Sequence, residues 1–164
     1  MVLKNEQSTP KIFSREQGKI KAESYCAYQE RSHFEIRNKL YEWGLHQKDT
    51  EGIISELIEQ NFLNEERFAL AYTQGKFRIK NWGRIKIKQG LKLKRVPDKL
   101  IAKSLKIIDE KDYIEKLKQL IEKKNDTIRE KDPFKIRYLL MRYAASKGYE
   151  QELISDMLIS NKLD

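Results

Sequence analysis

The residues that most often carry hydrolytic, redox or metal chemistry are few in this chain and widely separated. The sequence has one cysteine, Cys26, and two histidines, His33 and His46. A metal site needs several convergent ligands, and a covalent catalyst needs a nucleophile beside its base. No HExxH, CxxC, GxSxG or glycine-rich phosphate-loop pattern is present. We therefore predict no catalytic residue, no metal site and no cofactor, and we interpret the chain as a binding protein that is not an enzyme.

The reactive side chains that are present suit structural roles. Cys26 lies in a helix-like segment, where we expect a buried thiol, and a lone cysteine fits a reducing, cytoplasmic setting. His33 is expected at a helix start and His46 in a loop, both as solvated or capping residues. Residues 1–14 are polar and are expected to form a flexible tail. No apolar run approaches the roughly 20 residues that a membrane span needs.

Positive charge, by contrast, is concentrated in one stretch of the sequence. The chain has a net charge of +9, and the stretch from Lys76 to Lys106 alone carries +11, which leaves −2 for the remainder. Such asymmetry argues for a polyanionic partner or an acidic protein surface. One acid, Asp98, lies within the stretch. The twelve basic residues are Lys76, Arg78, Lys80, Arg84, Lys86, Lys88, Lys92, Lys94, Arg95, Lys99, Lys103 and Lys106.

A helix over this stretch would place Arg84, Lys88, Lys92 and Arg95 in one row, because residues three and four apart are neighbours on a helix surface. Such a row suits the phosphates of DNA, and it equally suits an acidic groove on a protein. A solvated lysine-rich surface without a partner is the remaining interpretation. Trp82, beside the row, is better interpreted as a core residue than as a platform for base stacking.

The elements that would position this charge form a repeat. The turn residues Leu45, Val96 and Tyr149 stand 51 and 53 residues apart. Each follows an apolar pair spaced by one helical turn, each precedes a second apolar stripe, and a helical pattern precedes each pair. The predicted unit is therefore helix, helix, helix, and a period in this range indicates stacked units. The first helices of the three units are predicted at residues 16–30, 65–79 and 111–124.

Apolar spacing indicates which side of each helix faces the core. In the first helix the large apolar residues are Ile20, Tyr25 and Tyr28. Residues 111–124 carry apolar side chains at steps of three and four, which suits one buried face. Trp43 falls on an apolar position and is expected in the core.

Capping residues predict where the helices begin and end. Asn64 is a suitable N-cap, and Pro133 suits the first position of a helix. Gly44 and Gly148 stand where a helix often ends in a left-handed residue. Arg95 occupies the matching place in the middle unit. Because a positive φ costs an L-residue energy, we expect the helix before Arg95 to end in a different way.

Residues 85–94 are ambiguous when taken alone. They alternate apolar and basic side chains around Gln89-Gly90, which is typical of a β-hairpin. A glycine inside a helix costs about 1 kcal/mol relative to alanine. We nevertheless predict a helix, because the repeat requires one here and an isolated hairpin would be marginally stable.

Three segments resemble signatures of the RecX family, in the same order and spacing across about residues 20–160. The segment from Tyr28 to Ile36 resembles a helix end followed by Arg-Ser-x-x-Glu-Leu. The segment from Asn61 to Tyr72 resembles Gly-Tyr-Leu-Asp-Asp-x-Arg-Phe-Ala-x-x-Tyr, with Asn in place of the first Gly and Asn-Glu in place of Asp-Asp. The segment from Trp82 to Lys94 is similar to Trp-Gly-x-x-x-Ile-x-x-x-Leu-x-x-Lys-Gly, with Arg95 in place of the last Gly. The third unit matches least well.

The resemblance implies an all-α fold of three tandem three-helix repeats in an elongated, curved array. The repeats are expected at residues 15–61, at residues 62–109, which hold the basic stretch, and at residues 110–164. It also implies a regulator of recombination that binds the RecA filament on DNA and inhibits strand exchange and ATP hydrolysis, in DNA repair and the SOS response. The expected partners are a RecA filament and single- or double-stranded DNA, with no membrane, and the protein is expected to be a monomer.

The candidate residues for binding the partner or DNA come from the first motif, here extended by one residue to Arg37, and from the basic stretch. They are Arg31, Arg37, Lys76, Arg78, Lys80, Arg84, Lys86, Lys88, Lys92, Lys94 and Arg95.

Two other functions stay open on the sequence alone. One is a basic DNA-binding or architectural protein that acts without RecA, which would bind bare DNA tightly and in a strongly salt-dependent manner. The other is a helical scaffold for an acidic protein partner, which would bind no DNA even at low salt. Charge and periodicity do not separate these alternatives from the function that the resemblance implies.

Overall fold

A computed structural model of the protein describes residues 12–160, and all regular secondary structure within them is helical. The all-α prediction is confirmed for this part of the chain. Residues 1–11 of the expected tail lie outside the described residues. The helices are α1 (Arg15–Tyr28), α2 (His33–Glu42), α3 (Gln47–Glu59), α4 (Glu65–Arg78), α5 (Arg84–Leu93), α6 (Asp98–Leu105), α7 (Glu110–Thr127), α8 (Pro133–Ser146) and α9 (Gln151–Ser160).

The described chain forms two compact units, which meet in sequence at Phe68 and Ala69. In the first unit α1, α2 and α3 pack on one another. In the second, α5 packs on α6, and α7, α8 and α9 pack together. No helix within residues 12–160 is both long enough and apolar enough to cross a membrane.

Helix α1 contributes small residues to the core of the first unit. Ile20 and Tyr28 are 65% and 83% exposed, whereas Gly18, Ala22 and Cys26 are buried. A Cβ at Gly18 would overlap the side chain of Leu45. Because α1 lies this close to its neighbours, only small residues fit on its inner face. Tyr25 is half-buried and packs against the core.

Side-chain caps fix several of the helix starts. Ser14 and Ser32 each form a capping box with the residue three positions later, Gln17 and Glu35. Asn64 Oδ1 accepts a hydrogen bond from the Arg67 N–H at 2.9 Å, which caps α4. Helix α8 begins at Pro133 as predicted, behind the N-cap Asp132. The predictions for Asn64 and Pro133 are therefore confirmed.

The turns α2–α3, α5–α6 and α8–α9 each join the second and third helices of a three-helix repeat, and all three close in the same way. Gly44, Arg95 and Gly148 have φ angles of +86°, +56° and +94°. The next N–H reaches back to a carbonyl five residues earlier in each case: Leu45 to Leu40 at 3.1 Å, Val96 to Leu91 at 3.1 Å, and Tyr149 to Ala144 at 3.3 Å. The expectation that α5 would end differently is therefore wrong. The five-residue hydrogen bond and burial of Val96 hold Arg95 in the left-handed region.

Residues 85–93 of the ambiguous segment lie in helix α5 and Lys94 is its C-cap, which confirms the helix prediction. Gly90 has a packing reason that the sequence did not show, since a Cβ there would overlap the hydroxyl of Tyr72. Ile87 and Leu91 are fully buried beneath the helix. The glycine therefore leaves room for the Tyr72 side chain against α5, at the cost of lower helix propensity.

The strained turn gives a test of the fold. Arg95→Gly and Arg95→Ala remove the same charge, but only glycine adopts a positive φ without steric cost. We expect Arg95→Gly to exceed Arg95→Ala in free energy of unfolding by about 1 kcal/mol, measured by chemical denaturation. An alanine variant as stable as the glycine variant would contradict the left-handed turn.

Candidate basic binding surface

Helix α5, which carries the centre of the basic stretch, begins against the turn between α8 and α9. The Gly83 N–H donates to the Lys147 carbonyl at 2.8 Å, and the Ile85 N–H donates to the Gly148 carbonyl at 3.0 Å. The Arg84 N–H donates to the Tyr113 hydroxyl at 3.0 Å. The first amides of a helix have no partner within the helix, and Gly83 offers no side-chain cap. We call α7, α8 and α9 the third triad of helices. This triad therefore supplies the cap of α5.

This docking requires two glycines in close contact. A Cβ at Gly83 would overlap the Gly148 carbonyl, and a Cβ at Gly148 would overlap the backbone of Lys86. Both obstacles are backbone atoms or lie beside them, so a side-chain rotation cannot relieve them. The separation between α5 and the α8–α9 turn is consequently set by the absence of side chains at these two positions.

Arg84 is held by neighbours on the third triad. Its guanidinium forms ion pairs with Glu110 and, at 3.4 Å, with Glu150, and it lies 3.9 Å from the centre of the Tyr113 ring. Burial acts to lower the pKa of Arg84, but the hydrogen bond and charge of Glu110, with the charge of Glu150, outweigh burial and raise it. Its charge is thus matched locally, and its contacts position α5.

Tyr113 links the same groups from below. Its hydroxyl donates to Glu150 Oε2 at 2.6 Å while it accepts from the Arg84 N–H. Its ring is fully buried between Phe77 and Tyr149, with ring centres 6.0 and 5.0 Å away. Burial, followed by the hydrogen bond to Glu150, raises the pKa of Tyr113 far above its usual range, so the hydroxyl keeps its proton at neutral pH. Nothing in the sequence indicated that a tyrosine in α7 would support α5.

Two further candidate lysines enclose Trp82. The ammonium groups of Lys76 and Lys86 each lie 4.7 Å from the centre of the Trp82 ring, and Lys86 Nζ also donates to the Ser146 carbonyl at 3.2 Å. Trp82 is half-buried. The ring therefore contacts two cations. It is neither fully in the core nor fully exposed for base stacking, the two alternatives that were considered from the sequence.

The remaining cations of this region are exposed on α5 and α6. Lys88 and Lys92 lie one turn apart on the outer side of α5, and Lys92 is 3.9 Å from the exposed Asp98. Three lysines at steps of four and three share the exposed side of α6 opposite the buried Ile101, namely Lys99 and Lys103 within the helix and Lys106 as its C-cap. We call these five lysines the α5–α6 lysine surface. Lys99, Lys103 and Lys106 belong to the basic stretch, but they were not among the candidate binding residues predicted from the sequence.

Apolar side chains lie among these cations. Ile85 and Leu93 on α5 are 43% and 77% exposed. At 100° per residue, they fall on the same outer half of the helix as Lys88 and Lys92. The outer side of α5 is consequently mixed, with positive and apolar groups side by side.

The other candidates of the basic stretch lie at helix ends. Arg78 is the last residue of α4, and Lys80 follows it; both are exposed. Lys94 and Arg95 lie in the turn that ends α5, with Arg95 exposed and Lys94 half-buried.

The two candidates in the first unit have neighbours of their own. Arg31 lies 3.7 Å from the centre of the Tyr25 ring, and its Nε donates to the Tyr25 carbonyl at 3.3 Å. Arg37 donates to both carboxylate oxygens of Glu51, at 2.6 and 3.1 Å. The hydrogen bond to Glu51 raises the pKa of Arg37, and the same bond lowers the pKa of Glu51. The arginines of the first motif therefore contribute local order.

The groups considered for chemistry stand apart. Burial raises the pKa of Cys26 to about 11, so its thiol is protonated at neutral pH. His33 Nδ1 lies 2.9 Å from Glu65 Oε2, and His46 precedes α3 without a side-chain cap. Within residues 12–160, no group of three or more His, Cys, Asp or Glu side chains is arranged to hold a metal ion.

Two protein-family models match the second and third triads of helices. The model of the second three-helix domain of RecX matches residues 64–105, and that of the third three-helix domain matches residues 110–158. Together they cover more than half of the chain.

Among curated proteins, the chain is similar to regulatory proteins named RecX. It is 33% identical to that of Clostridium perfringens (strain 13 / Type A) over 126 residues, which are 76% of this chain and 58% of the relative. It is 29% identical to that of Lactobacillus johnsonii over 143 residues, which are 87% of this chain and 52% of the relative. The chain thus spans little more than half the length of these relatives.

Two solved structures share the fold. The crystal structure of RecX from Lactobacillus salivarius superposes with a TM-score of 0.80 at 23% identity, covering 92% of this chain and 97% of that one. A crystal structure of regulatory protein RecX superposes with a TM-score of 0.76 at 21% identity, covering 87% and 72%. At this identity the likeness supports the helical fold alone.

Docking of α5 on the α8–α9 turn can be tested with two glycine variants. We expect Gly148→Ala to lower the free energy of unfolding by about 2 kcal/mol, because its Cβ meets the backbone of Lys86 at a residue with positive φ. Gly75→Ala, in the interior of α4 with no atom within 4 Å of the new Cβ, should raise it by up to about 1 kcal/mol. Equal stability of the two variants in urea denaturation would argue against the close contact.

Proposed function

The chain belongs to the RecX family of regulatory proteins, and from that premise we propose that it binds RecA filaments on DNA and inhibits their recombinase and ATPase activities. The contact is assigned to the α5–α6 lysine surface, together with the exposed apolar residues of α5. In this role the protein modulates recombination and DNA repair in the cytoplasm, acts as a monomer and performs no chemistry of its own.

The charge of α5 and α6 supports a partner rich in negative charge. Arg84 is matched by Glu110 and Glu150, so it adds little to the outward field. Lys88, Lys99 and Lys106 have no acidic partner in the described structure. Like charges on one surface repel one another, and phosphates or acidic side chains of a partner would relieve that repulsion. These lysines, more than the arginine in the same row, are the groups we expect to contact the partner.

The mixed character of α5 is the observation that carries the proposal. The phosphates of bare DNA bind cations without regard to sequence, and an exposed leucine adds little binding free energy there. A nucleoprotein filament offers phosphates and protein side chains within one groove. Leu93, at 77% exposure beside Lys92, is suited to such a partner because burial of an apolar side chain stabilises a protein contact.

A DNA-binding or architectural protein that acts without RecA is the second candidate. It is favoured by the exposed lysines alone, which would suffice for salt-dependent binding to either single- or double-stranded DNA. The two functions differ in what Leu93 does, since only a protein partner makes use of it.

Charge reversal tests the lysine surface. We expect the double variant Lys88→Glu/Lys92→Glu to need about tenfold more protein for half-inhibition of DNA-dependent ATP hydrolysis by RecA, which corresponds to about 1.4 kcal/mol. The matched control is Lys118→Glu/Lys123→Glu, which makes the same change in net charge at exposed positions of α7. If both variants lose inhibition equally, the effect is due to net charge alone. If Lys88→Glu/Lys92→Glu inhibits as well as the wild type, α5 is not the contact.

Removal of the exposed leucine separates the two candidate functions. Leu93→Ser should weaken inhibition of RecA about tenfold while leaving the affinity for bare DNA and its salt dependence unchanged. Ile159→Ser, at a 61% exposed position of α9, serves as the control and should change neither. If Leu93→Ser leaves inhibition intact while the α5 lysines remain necessary, the function without RecA is the better account.

A further inference from the structure

Helix α8 presents a second basic surface that the sequence analysis did not single out. Residues 129–147 hold six basic residues and two acids, a net charge of +4. Both acids lie at the start of the helix and accept hydrogen bonds from the backbone. Glu130 Oε1 accepts from the Lys131 and Asp132 N–H groups at 2.9 and 3.2 Å, and Asp132 Oδ1 accepts from Phe134 N–H at 3.0 Å.

The cations of this segment are not matched by acids. Arg129, Lys131, Lys135 and Arg137 are exposed and have no ion pair in the described structure. Arg142 lies over the ring of Tyr138, 5.8 Å from its centre, and therefore has an aromatic neighbour in place of a carboxylate.

Two aromatic rings stand outward among these cations. Phe134 is 81% exposed and Tyr138 is 58% exposed, while the opposite side of α8 buries Leu140 and Ala144 against its neighbours. Phe134, Tyr138 and Arg142 follow one another at steps of four and therefore form a single row. A large exposed ring costs solubility, and two in a row mark a contact surface more often than an incidental exposure.

The spacing and chemistry of the row fit unstacked bases. Residues four apart on a helix are separated by about 6 Å along its axis, whereas stacked bases rise by about 3.4 Å. Each ring can therefore face a separate base only where the bases are parted, as in a single strand. Aromatic stacking combined with cations that follow the phosphates is the general way in which proteins hold single-stranded nucleic acid. A protein groove without acidic side chains would favour the rings but not the cations on both sides of them.

We infer that the outer face of α8 binds single-stranded DNA, with Phe134 and Tyr138 as base-stacking platforms and Lys135 and Arg142 as phosphate contacts. The inference rests on the proposed function only for the choice of DNA over RNA. The site is separate from the α5–α6 lysine surface. Phe134 lies about 20 Å along α8 from the turn on which α5 docks, and its contribution comes from stacking in addition to charge.

The test compares the binding of single-stranded and duplex DNA to the whole chain of 164 residues, without RecA. Fluorescence anisotropy would measure the affinity for a labelled oligothymidine and for a duplex of the same length. Phe134→Ala/Tyr138→Ala should weaken oligothymidine binding at least about tenfold and change duplex binding less than twofold, because only unpaired bases reach the rings. The slope of affinity against salt should stay unchanged, because no cation is removed. Tyr138→Phe should retain wild-type affinity.

Controls keep the outcome specific. Tyr28→Ala removes an equally exposed aromatic from α1 and should leave both affinities unchanged. Since all of these side chains are exposed, thermal unfolding should match the wild type.

Three results would overturn the inference. The first is an unchanged oligothymidine affinity in the double variant. The second is an equal loss on duplex, and the third is an intact DNA affinity with a loss of RecA binding, which would make the face a protein contact. The proposed function stands or falls separately on inhibition of RecA by variants of α5.

Discussion

Helix α5 begins without a side-chain cap of its own, and the turn between α8 and α9 provides the missing acceptors. Two carbonyls of that turn and the hydroxyl of Tyr113 receive the amides of Gly83, Arg84 and Ile85. Because the contact is between backbones, it fixes the start of α5 more closely than side-chain packing would. The direction in which the outer side of α5 points therefore depends on the third triad of helices.

The same docking decides which charges are available to a partner. Arg84 lies next to the contact, where Glu110 and Glu150 match its charge, and Lys86 reaches back to the Ser146 carbonyl. Further along the helix, beyond reach of these groups, the lysines point to solvent. The basic residues of α5 look alike in the sequence but differ in the structure. Those at the start of the helix hold α5 in place, and those further along are exposed.

The sequence was sufficient for the helices, because apolar periodicity and capping residues act locally. It identified α5 as a helix against a hairpin-like pattern, since the repeat supplied information from outside the segment. It was wrong about the turn at Arg95, and the apolar residues of α1 did not show that close packing selects Gly18 and Ala22 on its inner face. It could not separate Arg84 from Lys88, because the partners of Arg84 lie 26 and 66 residues away along the chain. Contacts at that separation leave no periodic signal.

Lysine footprinting on the assembled complex tests the account most directly. The wild-type protein would be treated with an amine-reactive acetylating reagent in the absence and presence of RecA filaments on DNA, and modification would be quantified at each lysine. We predict that filaments strongly reduce modification of Lys88, Lys92, Lys99 and Lys106 and leave Lys118 and Lys123 unchanged. Binding to the filament with full reactivity of the α5 and α6 lysines would contradict the account.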